Sequence, residues 1–398
     1  MKKSLMQTSN RKKICVFLGS RANYSSLKPI MKEIQKDPDL KLILFVGASA
    51  LLDKYGEVAE LVKQDGFKID EYVYMLIEGE NPTTMAKSTG LGLMELANLL
   101  HKHKPDFTLI IGDRHEMLAM AIASAFMNIP VAHTMGGEIS GTIDESIRHA
   151  ITKLAHIHFP ANELAKQNII KMGENPKMVF NFGCPRIDTV KAIIKNDYDE
   201  EINNLIRNDG VGDVFEINND FILVSQHPVT TEFGNGETQI NETLGALYEI
   251  QKEKNMPVIM LWPNADAGTD EISRGIRKFR EKYSPKKFHL FKSLSLHIYI
   301  HLMNKTKCLV GNSSSGIREG AFIGTPVVNI GSRQVGRQYG KNVINVGYDK
   351  NEIKKAILKQ IEHGKYESDP IYGDDNASKK IVKILKTIKV DIQKKLCY

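Results

Sequence analysis

The sequence predicts an α/β protein built from two doubly wound, Rossmann-like domains. Three observations carry this expectation. Short apolar runs of strand length alternate with helix-length segments. The alternation stops in one charged, Asn- and Asp-rich stretch and then starts again. Clusters of Gly, Ser, Asp, Arg or His stand directly after the apolar runs. A chain of 398 residues, 42% apolar and 25% charged, is long enough for two such cores.

The first element is the run Ile14 to Leu18, stopped by Gly19-Ser20-Arg21 and followed by a helix from about Ser26 to Lys36. Lys41 to Val46, Phe107 to Ile111 and Pro130 to His133 repeat the pattern, with a helix over Glu116 to Met127 between the last two. Strands and helices alternating at this spacing make a parallel sheet with right-handed crossovers. Residues 1–187 are read as this first domain. Beyond Cys184-Pro185 the chain turns polar, including Lys195 to Glu201, and a linker is placed over 188–219. The alternation resumes in 220–375 with strands at Phe221 to Ser225, Pro257 to Trp262, Cys308 to Val310 and Pro326 to Ile330. A final helix near Ala377 to Lys386, within 376–398, is expected to return to the first domain. The chain shows neither a solenoid-period repeat nor a low-complexity tract.

Composition narrows the function classes. Lys and Arg exceed Asp and Glu by 54 to 47, and much of the excess lies in Lys-rich ends. That reads as solvated surface rather than a nucleic-acid stripe, while a modest positive charge suits an anionic substrate. Cys15, Cys184, Cys308 and Cys397 are far apart and make no metal-ligand spacing, so reduced thiols and no metal centre are expected. Neither a signal-peptide pattern nor an apolar stretch of ~20 residues is present, and the expectation is a cytoplasmic protein that does not enter a membrane.

In an open α/β sheet, ligands bind beyond the carboxyl ends of the strands, and two such edges facing across a cleft would converge on one site. Gly311-Asn312-Ser313-Ser314-Ser315-Gly316, followed by Arg318-Glu319, is a small-residue turn at a predicted helix start. Its N–H groups and hydroxyls suit a diphosphate, the alternative being a Ser-capped helix with no ligand. Neither a GxGxxG fingerprint nor a P-loop is present. Arg21, with Ser25 one turn on, and Arg333 occupy strand-to-helix loops of the two domains and are candidates to grip phosphate oxygens.

The densest constellation joins Gly112-Asp113-Arg114-His115-Glu116 to the stretch His133 through His149. It brings Asp113, His133, Glu138, Asp144, Arg148 and His149 to neighbouring loops. Carboxylates near a cationic clamp are what proton abstraction beside an amide-bearing carbon requires. His227 holds a strand-end position in the second domain, suited to a phosphate hydrogen bond or a proton relay, and Asn264 holds a similar strand-end position.

Taken together, Arg21 to Ser25, Gly112 to Arg114, Gly136 to His156, Gln226 to Thr231, Gly311 to Ser314 and Gly331 to Gln334 resemble the hydrolysing UDP-N-acetylglucosamine 2-epimerases. The likeness runs in order from about Lys13 to Tyr398. It implies a GT-B-like pair of domains, a UDP-sugar in the interdomain cleft, and no metal or redox cofactor. It further implies anti elimination of UDP to a glycal, then hydration with C2 inverted. The product would be free N-acetylmannosamine or a 2,4-diacetamido relative, on the way to sialic- or legionaminic-type acids. By motif position, Arg21, Ser25, Arg114, His227, Asn264, Ser313, Ser314, Glu319 and Arg333 would hold the UDP-sugar. Asp113, Glu138, Asp144 and His133 would face the reacting carbons. A homo-oligomer, dimer or tetramer, is expected.

Two departures from the family pattern stand out: Asn23 where many relatives carry Asp, and Met135 where many carry an acid. They point to a less polar sugar, such as a 6-deoxy 2,4-diacetamido hexose. A non-hydrolysing epimerase, a glycosyltransferase and a binding module without catalysis are the alternatives, separated by whether free UDP and free sugar are made.

Overall fold

The structure, a computed structural model, describes residues 11–53, 57–78, 82–140, 143–217, 220–263, 268–374 and 376–397. Contacts divide the chain into two compact units. The first contains the described residues up to Gly137, then Ile147–Pro185 and those from Asn376 onward; the second contains Glu138–Ser146 and the described part of Arg186–Asp375.

In the first unit the elements run β1 (Lys12–Leu18), α1 (Arg21–Lys36), β2 (Leu40–Gly47), α2 (Val58–Gln64), β3 (Glu71–Val73), α3 (Pro82–His103), β4 (Phe107–Ile111), α4 (His115–Phe126) and β5 (Val131–Thr134). Next come α5 (Ile143–Leu154), whose first turn falls in the second unit, β6 (Ile157–Phe159) and α6 (Glu163–Lys171). The sheet order is β3-β2-β1-β4-β5-β6, and every pair is parallel. Ile14 to Leu18 are fully buried, as a strand covered on both faces must be. The strand order reverses between β1 and β4, so the loops after these two strands flank the switch point of the sheet.

Local chemistry fixes where α1 begins. Ser20 Oγ accepts the Asn23 N–H at 3.3 Å, while Asn23 Oδ1 accepts from the Gly19 N–H at 3.2 Å and the Ser20 hydroxyl at 2.9 Å. This reciprocal cap starts the helix at Arg21, five residues before the sequence expectation. The buried Asn23 serves the cap through its carbonyl oxygen, a task that needs no carboxylate.

The C-terminal segment belongs to the first unit. Helix α15 (Ala377–Thr387) offers the Leu385 carbonyl to Lys12 Nζ at 2.7 Å, and its Lys386 pairs with Asp37 and Asp39 at 3.0 and 2.7 Å. Further on, Lys394 Nζ donates to the carbonyls of Thr152, Lys153 and Ala155 at the end of α5 and lies 2.6 Å from Glu174. A cation at a helix C-terminus satisfies carbonyls the helix leaves open.

Beyond Glu138–Ser146, the second unit runs through α7 (Pro185–Ile193), whose first residue falls in the first unit, α8 (Asp199–Asn208) and β7 (Val211–Gly212). It continues through β8 (Ile222–Ser225), α9 (Gly236–Lys254), β9 (Val258–Leu261), α10 (Thr269–Tyr283), β10 (Phe288–Phe291), α11 (Leu296–Lys305) and β11 (Cys308–Gly311). Then follow α12 (Ser314–Ile317), α13 (Glu319–Ile323), β12 (Val327–Ile330), β13 (Val343–Val346) and α14 (Lys350–His363). The sheet order is β13-β12-β11-β8-β9-β10-β7, parallel except for the pairing of β7 with β10. Alternate residues feed opposite cores: Ile222, Val224, Val258 and Met260 pack with Ile240, Leu244, Ile353 and Ile357, while Leu223 and Ile259 pack with Ile298 and Leu302. The switch point lies between β8 and β11.

One expectation is corrected here. Residues 188–219, read as a linker, are largely α7, α8 and β7, and Val190, Ile193, Ile202, Ile206 and Ile217 are buried in the second unit's core. The polar run between them covers an apolar face spaced i, i+4, which net composition conceals.

Candidate active site

At the switch point of the first sheet, the β4 loop carries Asp113 and Arg114. Asp113 is paired by Arg148 of α5, whose side chain is only 1% exposed. His133, on β5, is fully buried; its Nε2–H donates to the Gly112 carbonyl at 2.8 Å and its Nδ1 is 3.4 Å from Thr152 Oγ1. Burial pushes its pKa down to about 3, against the opposing pull of that carbonyl. His133 is thus held neutral, and its bond to the Gly112 carbonyl ties it to the loop that presents Asp113. Arg21 opens α1 half-buried, and burial lowers its pKa from the usual guanidinium value. Ser25 donates its hydroxyl to the Arg21 carbonyl at 3.0 Å.

After β5 the chain turns sharply through Met135, at φ 60°, and Gly137, at φ 76°. A Cβ at Gly137 would lie 2.2 Å from the Ala165 carbonyl oxygen, so only glycine fits there. Met135 is buried, with its N–H bonded to the Phe159 carbonyl at 2.9 Å.

By their contacts, Glu138 and Asp144 belong to the second unit. Glu138 is 4% exposed and sits between two guanidinium groups: Arg318, which donates to Oε2 at 2.6 Å, and Arg337, 2.9 Å from the same oxygen. A buried carboxylate in such a setting is held by charge compensation. Asp144 lies half-buried in the first turn of α5.

At the switch point of the second sheet, Asn312 ties three loops together. Its side-chain amide pairs with the His227 backbone, accepting the N–H and donating to the C=O, both at 2.8 Å. Its own carbonyl accepts from Arg333 at 3.1 Å and Gln334 at 2.8 Å. His227 is buried, with Nε2 3.3 Å from Ser225 Oγ. Ser313 caps α12 and its hydroxyl meets that of Ser315 at 2.8 Å, which in turn meets Tyr299 at 2.7 Å. Here too the sequence expectation changes. The helix after Gly311 to Ser315 is a single turn that breaks at Arg318 before α13 begins, so the donors for an anion are local N–H and hydroxyl groups rather than a long helix dipole.

Glu319 is 1% exposed; Arg186 donates to its Oε1 at 2.8 Å, and among the described residues its Oε2 has no hydrogen-bond partner. Asn264 lies outside the described residues, as do Gly141 and Thr142 of the long motif. Asn312 and Arg186, which bond the candidate residues His227 and Glu319, are residues that sequence reasoning left without a role. The signal for Asn312 was its place between Gly311 and the Ser run; nothing local marks Arg186.

Two largely parallel sheets, each with polar and charged side chains gathered at its switch point, form the framework of a doubly wound α/β enzyme. The model of the UDP-N-acetylglucosamine 2-epimerase family matches residues 32–386, and the chain belongs to this family of enzymes. It is 32% identical to the UDP-N,N'-diacetylbacillosamine 2-epimerase (hydrolyzing) of Legionella pneumophila, across 96% of this chain and 97% of that protein. To a UDP-N-acetylglucosamine 2-epimerase of Neisseria meningitidis serogroup B it is also 32% identical, across 92% and 93%. The fold matches a crystal structure of UDP-GlcNAc 2-epimerase from Neisseria meningitidis bound to UDP-GlcNAc, with a TM-score of 0.79 at 19% identity, covering 94% of this chain and 99% of that one. Among the described residues no helix is long and apolar enough to cross a membrane.

Proposed function

We propose that the protein hydrolyses a UDP-linked 2-acetamido sugar with inversion at C2. A carboxylate removes the C2 proton as the C1–oxygen bond breaks and UDP leaves, giving a glycal. Water then adds across C1 and C2, the hydroxyl to C1 and a proton to the opposite face of C2. The observation that carries this reading is Asp113: a partly exposed carboxylate at a sheet switch point with a buried guanidinium behind it. The guanidinium fixes the position of the carboxylate, and a base must be placed before it can take a proton.

Asp144 and Glu138 are the further acids of this reading, Glu138 through its two arginines. Arg21, Ser25, Arg114, His227, Asn264, Ser313, Ser314 and Arg333 serve the substrate, and the open oxygen of Glu319 suits a nucleoside hydroxyl. Leaving-group charge is met by the Arg21 and Arg333 guanidinium groups and the N–H and hydroxyl donors after β11. No metal or redox cofactor takes part.

The sugar is proposed to be a 2,4-diacetamido-6-deoxy hexose, giving a precursor of legionaminic-type acids; with UDP-N-acetylglucosamine the product would be N-acetylmannosamine. The name of the Legionella relative supports the first, and the buried Met135 and the capping role of Asn23 fit a site with fewer acids. The enzyme is read as cytoplasmic and homo-oligomeric. NMR with each UDP-sugar in deuterated water tests the whole scheme: free UDP, inverted C2 and deuterium at C2 are expected, with faster turnover of the diacetamido substrate. Return of a UDP-linked epimer with no free UDP would instead identify a non-hydrolysing epimerase.

A further inference from the structure

The β4 loop presents two adjacent residues of opposite charge, Asp113 and Arg114, with side chains 25% and 35% exposed. Behind each stands a buried partner of the other sign. Arg148 backs Asp113; Glu116, 1% exposed, backs Arg114, with Oε1 3.1 Å from its Nε. Acids in the first turn of a helix are common because the helix dipole favours them, but such residues normally stay in water, and a glutamate buried to this extent is rare. His115 Nδ1 lies 3.1 Å from Glu116 Oε2 without hydrogen-bond geometry, and burial keeps that imidazole neutral at pH 7.

The carboxylate also bears on the neighbouring strand's loop. A Cβ on Gly19 would fall 2.3 Å from Glu116 Cγ and 2.7 Å from Oε1. Gly19 precedes the cap residue Ser20 and Arg21, so the Glu116 side chain fills the space beneath the β1 loop while gripping the β4 loop. It spans the two loops that flank the switch point of the sheet.

From this arrangement we infer that Glu116 is a positioning residue: it fixes the Arg114 guanidinium through Nε so that the Nη groups of Arg114 engage the anionic UDP-sugar. The inference rests on the proposed function. Binding through a held guanidinium is ground-state binding, so its loss appears in KM more than in kcat.

The test uses the full-length enzyme and its preferred UDP-sugar. Glu116→Ala should raise KM about tenfold with kcat changed less than about threefold. Glu116→Gln keeps an acceptor for Nε but loses the charge, and should raise KM only about threefold. Combining Glu116→Ala with Arg114→Ala should give no larger KM than Arg114→Ala alone, because the two changes remove one interaction. Additive effects of the two substitutions, or an unchanged KM in folded Glu116→Ala, would overturn the inference. If the alanine variant does not fold, the isosteric Glu116→Gln decides, and an unchanged KM there is equally fatal. A parent enzyme releasing no UDP from any UDP-sugar would sink the functional reading itself, a result distinct from these.

Discussion

Arg148 and Asp113 form an ion pair in which the cation is buried and the anion is not: the guanidinium is 1% exposed and the carboxylate 25%. The asymmetry aims the acid outward from the strand-end loop and keeps its counter-charge out of solvent competition. Asp113→Asn should cut turnover by at least about 100-fold, the scale of an acid–base contribution, while UDP affinity is retained. Steady-state UDP release and calorimetric titration with UDP measure the two quantities. Near-normal turnover would remove Asp113 from the chemistry.

His133 is expected to stay neutral. Burial holds its pKa at about 3, below the ordinary value of 6.5, so the unfolded chain takes up this proton first as pH falls. The group costs stability progressively from pH 6.5 down to about 3 and is silent above. Nitrogen-resolved NMR of the imidazole should show one neutral tautomer, protonated at Nε2, from about pH 5 to 8. A titration midpoint in that interval would contradict the buried placement.

Asn312 joins the β8, β11 and β12 loops by side-chain and backbone hydrogen bonds that are mostly buried. Asn312→Ala leaves the His227 N–H and C=O without their partners, which should cost about 2–3 kcal/mol of stability and loosen UDP binding. Denaturant unfolding reads the first and calorimetry the second. A stability within about 0.5 kcal/mol of the parent would show that water replaces the amide.

Glu174 supplies a pH-dependent lock on the C-terminal tail. Burial alone would raise its pKa, but hydrogen bonds from His158, Lys153 and Lys394 outweigh that and bring it down from 4.5 to about 2. A depressed carboxylate pKa stabilises the fold above pH 4.5, and the contribution is lost as pH falls through about 2. Lys394→Met should therefore lower the unfolding temperature at pH 7, with the gap to the parent narrowing between pH 4.5 and 2. A residual gap should persist, because Lys394 also caps the carbonyls that end α5. A gap independent of pH would mean that the cap alone matters.

The central strands were legible in the sequence because they are buried on both faces and are therefore continuous apolar runs, as in Ile14 to Leu18 and Phe107 to Ile111. The reading leaves out β3, β6, β7, β10 and β13. All but β10 are sheet-edge strands, and their two to four residues carry too little periodicity to stand apart from loop. The start of α1 was missed for a different reason: its boundary is set by a side-chain cap rather than by hydrophobic spacing.

By itself, the sequence determined the class of fold, the two switch-point loops of each sheet, and which residue types gather there, because strand, turn and helix are local patterns that repeat in order. Only the tertiary structure decided the partners. It tied His133 to the Gly112 carbonyl, put Arg148 behind Asp113 and Glu116 behind Arg114, gave Glu138 to Arg318 and Arg337, and made core helices of an apparent linker. The physical reason is that a charge's role depends on what lies within a few ångströms of it. Those neighbours come from residues as far apart in the chain as Glu138 and Arg318, brought together by packing that no local pattern encodes.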